Sequence, residues 1–438
     1  MAGAPANDSS SSWVVEMEKM LEHTDPSAEA ARWRKASIYR VPERIKHQTK
    51  AEAYRPQLVS LGPFHHGSCH LLPMEEHKRR AVLHLVKRAR VPLGDFAAAV
   101  EEVADELMDA YDGLDERWRG AGRDGFVEVM LTDGCFLLEM MRTGRLVLKG
   151  KPLKDYAPND PVFSIHGFYF LRPDIQSDMI LMENQLPLLL LQRILAVQRG
   201  TSSPSAEDIN ELVLRFLDCP LDEGTGKLGL HPLELYHKCF RDLQPNVSRL
   251  GSKREDTVPS AAELSEAGIH FEMSATKRVS DIDFENGVLR MPLVGVYDET
   301  EKNYLNMMAF ELLHRYAGND VTDYIIFMDN IINSERDVKL LRSKGLIKSG
   351  LGSDMEVARL FNTLSKGAVM SPFCKLLDVQ KKMNDHCRKR WNKWRASFEH
   401  TYLSNPWVFI SLVAAAVLLV ATLMQTIYSV MPFYTKNS

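Results

Sequence analysis

The chain is 438 residues long, with 45% apolar residues, 26% charged residues and a formal net charge of -4 at pH 7. That length exceeds one small core, and the composition is that of a folded globular protein. Slight acidity excludes a general attraction to nucleic acid, so any partner has to be read from local patches.

The first residues, MAGAPANDSSSS, lack the basic and apolar regions of a secretory signal, and Ala2 stands where myristoylation needs glycine. Residues 1–30 read as a mobile leader carrying one amphipathic piece, Trp13–Leu21. From Ile38 the texture changes. Pro42, Pro56 and Pro63 interrupt any helix while Tyr39, Val41, Leu58, Val59 and Leu61 supply apolar contacts, which predicts an extended segment packed on something larger. Glu76–Arg90 then shows an apolar face (Val82, Leu85, Val86, Ala89) opposite a basic one, and Asp95–Glu116 follows with nine acids. The plain reading is two solvated faces; docking of one on the other is the alternative.

Phe126–Arg142 and Met179–Leu195 are the most apolar segments of the body, each broken by charge or proline, and read as core helices with a kink or restart at Pro187. Linker-like stretches follow at 200–205, 218–229 and 245–259, placing a subdomain boundary near 198–260 within a helical globular domain of residues 31–380. After Ala261, β-prone runs around the turn dipeptide Asn286-Gly287 predict a hairpin or small sheet. Helices resume near Asn303 and at Tyr324–Ile332, and Ser353-Asp-Met-Glu356 is a capping-box signature for a helix through Leu364. The fold class is mainly α with a small β insert.

The C-terminal region is the most distinctive. Trp407–Val430 holds 24 residues without a charge, long enough as a helix to cross a hydrocarbon core of about 30 Å. A transmembrane helix over about 407–430, within a terminal region 401–438, is therefore expected, and the chain looks tail-anchored. Before it, residues 381–400 read as a basic amphipathic juxtamembrane helix. Trp391, Trp394 and Phe398 form one stripe there, with Lys389, Arg390, Lys393 and Arg395 among its cations, which suits a lipid surface. Seven Lys/Arg in Lys381–Arg395 against Lys436 alone after the span predict a cytosolic body. The sequons at Asn7 and Asn246 would test that orientation. The expected partners are a lipid bilayer and unidentified proteins, with homo- or hetero-oligomers among the expected assemblies and no nucleic acid.

Chemistry-bearing motifs are few. Gly224–Gly229 matches GxGxxG by letters but lacks the flanking strand and helix, and Gly345–Gly350 has Leu351 where a phosphate loop needs lysine. His65, His66, Cys69 and His70 crowd together without a second ligand pair, so no metal is expected, and no cofactor. Asp133, Glu139 and Glu183 sit in apolar surroundings where a raised carboxyl pKa could serve a hydrolase, though such carboxylates more often cap a helix or pair with Arg or Lys. Six scattered cysteines without a CxxC pair suit reduced thiols better than a disulfide framework.

Several blocks in order carry a family resemblance. They are Ile38-Tyr39-Arg-Val-Pro42, Tyr54-Arg-Pro56, Ser60-Leu-Gly62-Pro-Phe-His65-His66-Gly67 and Met74-Glu-Glu-His-Lys78. Asp133-Gly134-Cys-Phe-Leu-Leu-Glu139, Met182-Glu183-Asn184-Gln185-Leu-Pro187, Glu263–Gly268 and Met328–Ile332 continue the series. Together they resemble the plant family catalogued as domain of unknown function 247, from about residue 38 to the terminal span. The resemblance implies a large helical domain with a C-terminal membrane helix and no established enzymatic activity. Some grass members look like self-incompatibility determinants, which suggests recognition or signalling. The resulting expectation is a membrane-anchored, non-enzymatic scaffold; the alternative is a membrane-bound hydrolase using buried carboxylates.

Overall fold

In chain order the helices begin with α1 (Ser12–Glu22), α2 (Pro26–Lys35), α3 (Glu43–Gln48), α4 (Leu72–Ala89), α5 (Leu93–Glu101) and α6 (Ala104–Asp109). Next come α7 (Arg123–Leu148), α8 (Ile165–Met179), α9 (Leu188–Arg199), α10 (Ala206–Phe216), α11 (Pro232–Phe240) and α12 (Ala261–Glu266). Strands β1 (His270–Met273), β2 (Asp283–Glu285), β3 (Val288–Met291) and β4 (Val294–Val296) precede α13 (Thr300–Leu313), α14 (Asp320–Ile331) and α15 (Glu335–Ser343). Strand β5 (Ile347–Ser349), α16 (Asp354–Leu364), α17 (Lys375–Arg388) and α18 (Pro406–Thr435) complete the order. This computed structural model describes residues 12–22, 24–200, 204–221, 226–240, 258–274, 278–372, 374–388 and 406–435. Two compact units emerge, one from residues 1–239 with 302–318, the other from 240–301 with 319–438.

The first unit is built on α7, a 26-residue helix against which α4, α5, α8, α9 and α10 pack. Its apolar residues occupy most of its circumference: Phe126, Met130, Phe136, Leu137 and Met140 are all fully buried. A helix that is apolar nearly all round belongs in the middle of a bundle, not on its surface. Gly134 fixes the approach of α9, because a Cβ there would lie 2.5 Å from Ile194 Cδ1. Pro187, with φ -58°, ends an irregular bend and immediately precedes α9, so the helix restarts at Leu188.

The second unit holds both small sheets. Strands β2 and β3 pair antiparallel with Phe284 opposite Leu289, and β1 runs parallel to β3 on its other edge. Asn286 and Gly287 both take positive φ, 52° and 83°, as a two-residue hairpin turn requires. Strand β4 pairs parallel with β5. Buried Asp337 joins α12 to α15, accepting from Ala262 N at 2.8 Å and Ser334 N at 3.0 Å. Burial pushes its carboxyl up, but these N–H groups and the neighbouring hydroxyls outweigh that and hold it below the usual value. Ser353 caps α16 by accepting from Glu356 N at 3.2 Å. The Glu356 carboxylate reaches Gly352 N rather than Ser353 N, so only half of the expected box forms.

One expectation is corrected here. Helix α18 covers the stretch predicted to span a membrane, yet among the described residues no helix is long and apolar enough to cross one. The transmembrane helix, the tail anchor and the membrane localisation are therefore not supported, and the cytosolic orientation loses its premise. The fold class is a mainly helical protein with small β elements. Trp391, Trp394, Phe398, Lys389, Arg390, Lys393 and Arg395, read as a membrane-interface stripe, lie outside the described residues.

Candidate functional site: a buried polar lattice around an irregular strap

Between the turn at Tyr54 and the short helix beginning at Cys69, residues 55–68 form neither helix nor strand, although Val59, Ser60 and Leu61 are buried. Buried backbone N–H groups without a ladder must find other acceptors. Side chains supply them. Asp178, the penultimate residue of α8, accepts from Gln57 N at 3.0 Å, Leu58 N at 2.7 Å and Val59 N at 2.9 Å. Lys302 Nζ lies 3.1 Å from the same carboxylate. Asn184 accepts from Leu61 N at 2.7 Å and donates to Val59 O at 3.0 Å. Asp133 accepts from Gly62 N at 2.8 Å and pairs with Lys78 Nζ at 2.7 Å. Lys78, fully buried, also donates to Ser60 Oγ at 2.9 Å and reaches Glu75 at 2.7 Å.

The bend ending at Pro187 makes this possible, since its residues are not helical and can turn several consecutive side chains to different partners. Glu183 accepts from Val41 N at 2.7 Å, with Lys46 Nζ at 2.9 Å and His65 Nε2 at 3.4 Å. Gln185 donates to Met179 O at 2.6 Å and accepts from Leu233 N at 2.9 Å. Tyr111 Oη donates to Gln185 O at 2.8 Å. Gly62, at φ +78°, lies where a Cβ would come within 2.6 Å of that same hydroxyl, so only glycine fits. Asn306 of α13 accepts from Met182 N at 2.9 Å and donates to Ala53 O at 2.8 Å.

Burial pushes the Glu183 carboxyl up, but His65, Lys46 and the Val41 N–H together outweigh it and hold the group below the ordinary value. Burial also pushes Asp133 up, against the opposing pull of Lys78 and the Gly62 N–H. Glu139 lies six residues beyond Asp133 on α7, about 9 Å along the axis. It is held separately by Arg88, Arg142 and the Tyr156 hydroxyl. No hydrogen bond joins Asp133, Glu139 and Glu183 to one another among the described residues. Each is spent on a structural partner.

The remaining motif residues are dispersed around this lattice. Tyr39 donates to Ala36 O at 2.8 Å, lies 3.1 Å from His314 Nδ1, and has its phenol pushed up to about 12 by burial. Pro42 precedes α3, and Gly67 turns the chain with φ 83°. His66 stands edge-on to Trp118 with ring centroids 5.8 Å apart, and His70 Nε2 lies 3.0 Å from Pro56 O. His65 faces Glu183, so the crowded histidines diverge, and no cluster of three or more metal-ligating side chains occurs among the described residues. Burial pushes the Cys135 and Cys374 thiols well up, leaving them poor nucleophiles.

Sequence reasoning missed Asp178, Lys302 and Asn306, which are essential to the lattice. It also left open whether the basic and acidic segments dock. Among the described ion pairs none joins them: Arg80 pairs with Asp160 and Arg88 with Glu139, while Arg123 takes Glu101 and Asp105.

His231 closes one side of the unit, fully buried, with Nε2 3.0 Å from Ser37 O and Nδ1 accepting from Glu234 N at 3.2 Å. Burial lowers its pKa from 6.5 to about 4. The unfolded chain therefore binds this proton more readily, so stability falls on acidification from 6.5 towards 4, by roughly 1.4 kcal/mol per pH unit. Urea unfolding should show a loss of about 2 kcal/mol between about pH 7 and pH 5 that His231→Gln largely removes. An equal loss in that variant would place the titration elsewhere.

A mainly helical body whose sequence blocks serve to brace an irregular strap is the class of protein defined by this geometry. The chain belongs to the plant family described as "Plant protein of unknown function", domain of unknown function 247, which matches residues 38–421. It is 29% identical over 432 residues to the UPF0481 protein At3g47200 of Arabidopsis thaliana, covering 90% of this chain and 86% of the relative. It is 21% identical over 520 residues to the putative UPF0481 protein At3g02645 of the same plant, covering 94% and 93%. No solved structure matches the chain.

Proposed function

We propose that this protein is a non-enzymatic recognition or signalling scaffold that docks amphipathic helical segments of protein partners. The observation that carries this reading is a groove of about 770 Å³ in the first unit, bounded by α4, α5 and α7. Ala97 and Ala98 leave it wide, Val82, Val127 and Leu131 line its floor, and Leu83 and Leu93 stand at 65% and 47% exposure along its edge. Apolar grooves of this kind take the apolar stripe of a helix. Among the lining residues Glu101 is already paired with Arg123. Asp124 and Glu128 remain against Arg79 alone, so a helix with basic flanks is the matching occupant. The non-enzymatic part of the reading rests on the motif carboxylates, each already engaged by backbone or cation.

Fluorescently labelled model helices with one leucine stripe and either lysine or glutamate flanks test the reading. The lysine-flanked peptide is expected to bind at least about tenfold more tightly, and Leu83→Glu should abolish binding without lowering the melting temperature. Equal binding of both peptides, or binding indifferent to Leu83→Glu, would overturn it. Self-association lost in the same variant would identify a second copy of the chain as the occupant instead.

A further inference from the structure

We propose that the first unit carries a separate binding site for an amphipathic organic anion, in a cleft of about 640 Å³ between the C-terminal end of α7, α8 and α10. That volume lies within the roughly 300–1,000 Å³ typical of small-molecule sites. Three features of its wall point to the ligand's chemistry.

The first is an excess of positive charge. Five cations, Arg145, Lys149, Arg172, Arg199 and Arg215, line the cleft with three carboxylates, Asp208, Glu211 and Asp218. Each carboxylate is taken, by Arg199, Arg215 and Arg172 in turn. Arg145 and Lys149 are exposed and have no ion-pair partner among the described residues, so two positive charges face the cleft uncompensated by any of them, in a chain whose net charge is -4.

The second is Arg172. Its guanidinium carbon lies 5.4 Å from the Phe168 ring centroid and 5.7 Å from that of Phe216, which fixes its plane. One nitrogen donates to Phe216 O at 3.1 Å, yet Nε is buried without a hydrogen-bond partner. Stacked on both rings and paired with Asp218, that guanidinium holds a fixed position on the cleft wall.

The third is the apolar wall. Phe168, Phe216, Leu212 and Leu148 share the cleft with these cations. A bare inorganic anion would leave that surface wet, whereas a ligand with an apolar body and one anionic group covers both. Arg145 and Lys149 also offset the negative end of α7, but that role does not require the apolar wall beside them.

Calorimetric titration of the full chain with decanoate, decanol and inorganic phosphate tests the site. Decanoate is expected to bind, decanol at least about tenfold more weakly, and phosphate not measurably. Decanoate affinity should fall at least about tenfold in Arg145→Glu/Lys149→Glu, and weaken when salt rises from about 0.05 to about 0.5 M. Both side chains are exposed, so that variant keeps its fold. Leu212→Trp, which fills the cleft without altering its charge, should also lose binding. The proposal is overturned if decanol matches decanoate, if phosphate alone binds as well, if no decanoate heat is found, or if both variants bind decanoate like the parent.

Discussion

Lys78→Met is expected to destabilise the first unit by roughly 3–5 kcal/mol, the usual cost of stripping one partner from a buried ion pair. Lys78 is 0% exposed and Asp133 1%, and their 2.7 Å contact is the only cationic partner that the Asp133 carboxylate has among the described residues. Methionine preserves the volume, so the loss reports charge rather than packing. It should shrink on acidification: a carboxyl pushed up by folding is penalised only above its unfolded value of 3.8, and below that both states carry the proton. Lys78→Met/Asp133→Leu should recover part of the loss, short of all of it because the Gly62 N–H then lacks its acceptor. Urea denaturation of the two variants and the parent measures this. A single-variant cost below about 1 kcal/mol would mean that water reaches the pair.

Asp178→Ala is expected to have a comparable or larger effect. It removes the acceptor of three consecutive backbone N–H groups, Gln57, Leu58 and Val59, and the partner of Lys302. Each orphaned buried donor costs about 1–3 kcal/mol, so a total of at least about 4 kcal/mol is expected once partial rehydration of Gln57 is allowed for. That is a large share of the roughly 5–15 kcal/mol that keeps a domain folded. Asp178→Asn, which retains one acceptor oxygen, should lose less. Hydrogen exchange gives the local reading: amides 57–59 should exchange far faster in Asp178→Ala, and unchanged protection there would show that the carboxylate is not what holds the strap.

Structure is legible in the sequence where the physics is local. The helix restart at Pro187, the Asn286-Gly287 turn and the α16 start at Asp354 each depend on a few neighbouring residues. Asp133, Glu139 and Glu183 were also legible as buried carboxylates needing cations, because an apolar neighbourhood makes such a partner necessary. What was not legible is which partner. Gln57 and Asp178 are 121 residues apart in the chain, and Ala53 and Asn306 are 253 apart. No periodicity encodes such pairings. Asp178 lies just before the segment read as a core helix, Met179–Leu195, and nothing nearby marks its carboxylate as the anchor of three amides. The C-terminal apolar run fails differently: its composition predicts a transmembrane span, which the described helix does not support.

The first unit is discontinuous in sequence, its last piece, residues 302–318, being made after an intervening segment that begins at residue 240. Asn306, in that late piece, satisfies Met182 N and Ala53 O, and Lys302 supplies a charge to Asp178. A ribosome that has just released residue 239 from its exit tunnel has therefore delivered a bundle with part of its bracing still unmade. At about 5–20 residues per second the remaining roughly 80 residues take about 4–16 s. During that interval the nascent chain is expected to present unsealed backbone and apolar surface of the kind that chaperones bind. Synonymous recoding of 240–318, which changes no residue of the finished protein, is therefore expected to alter its yield.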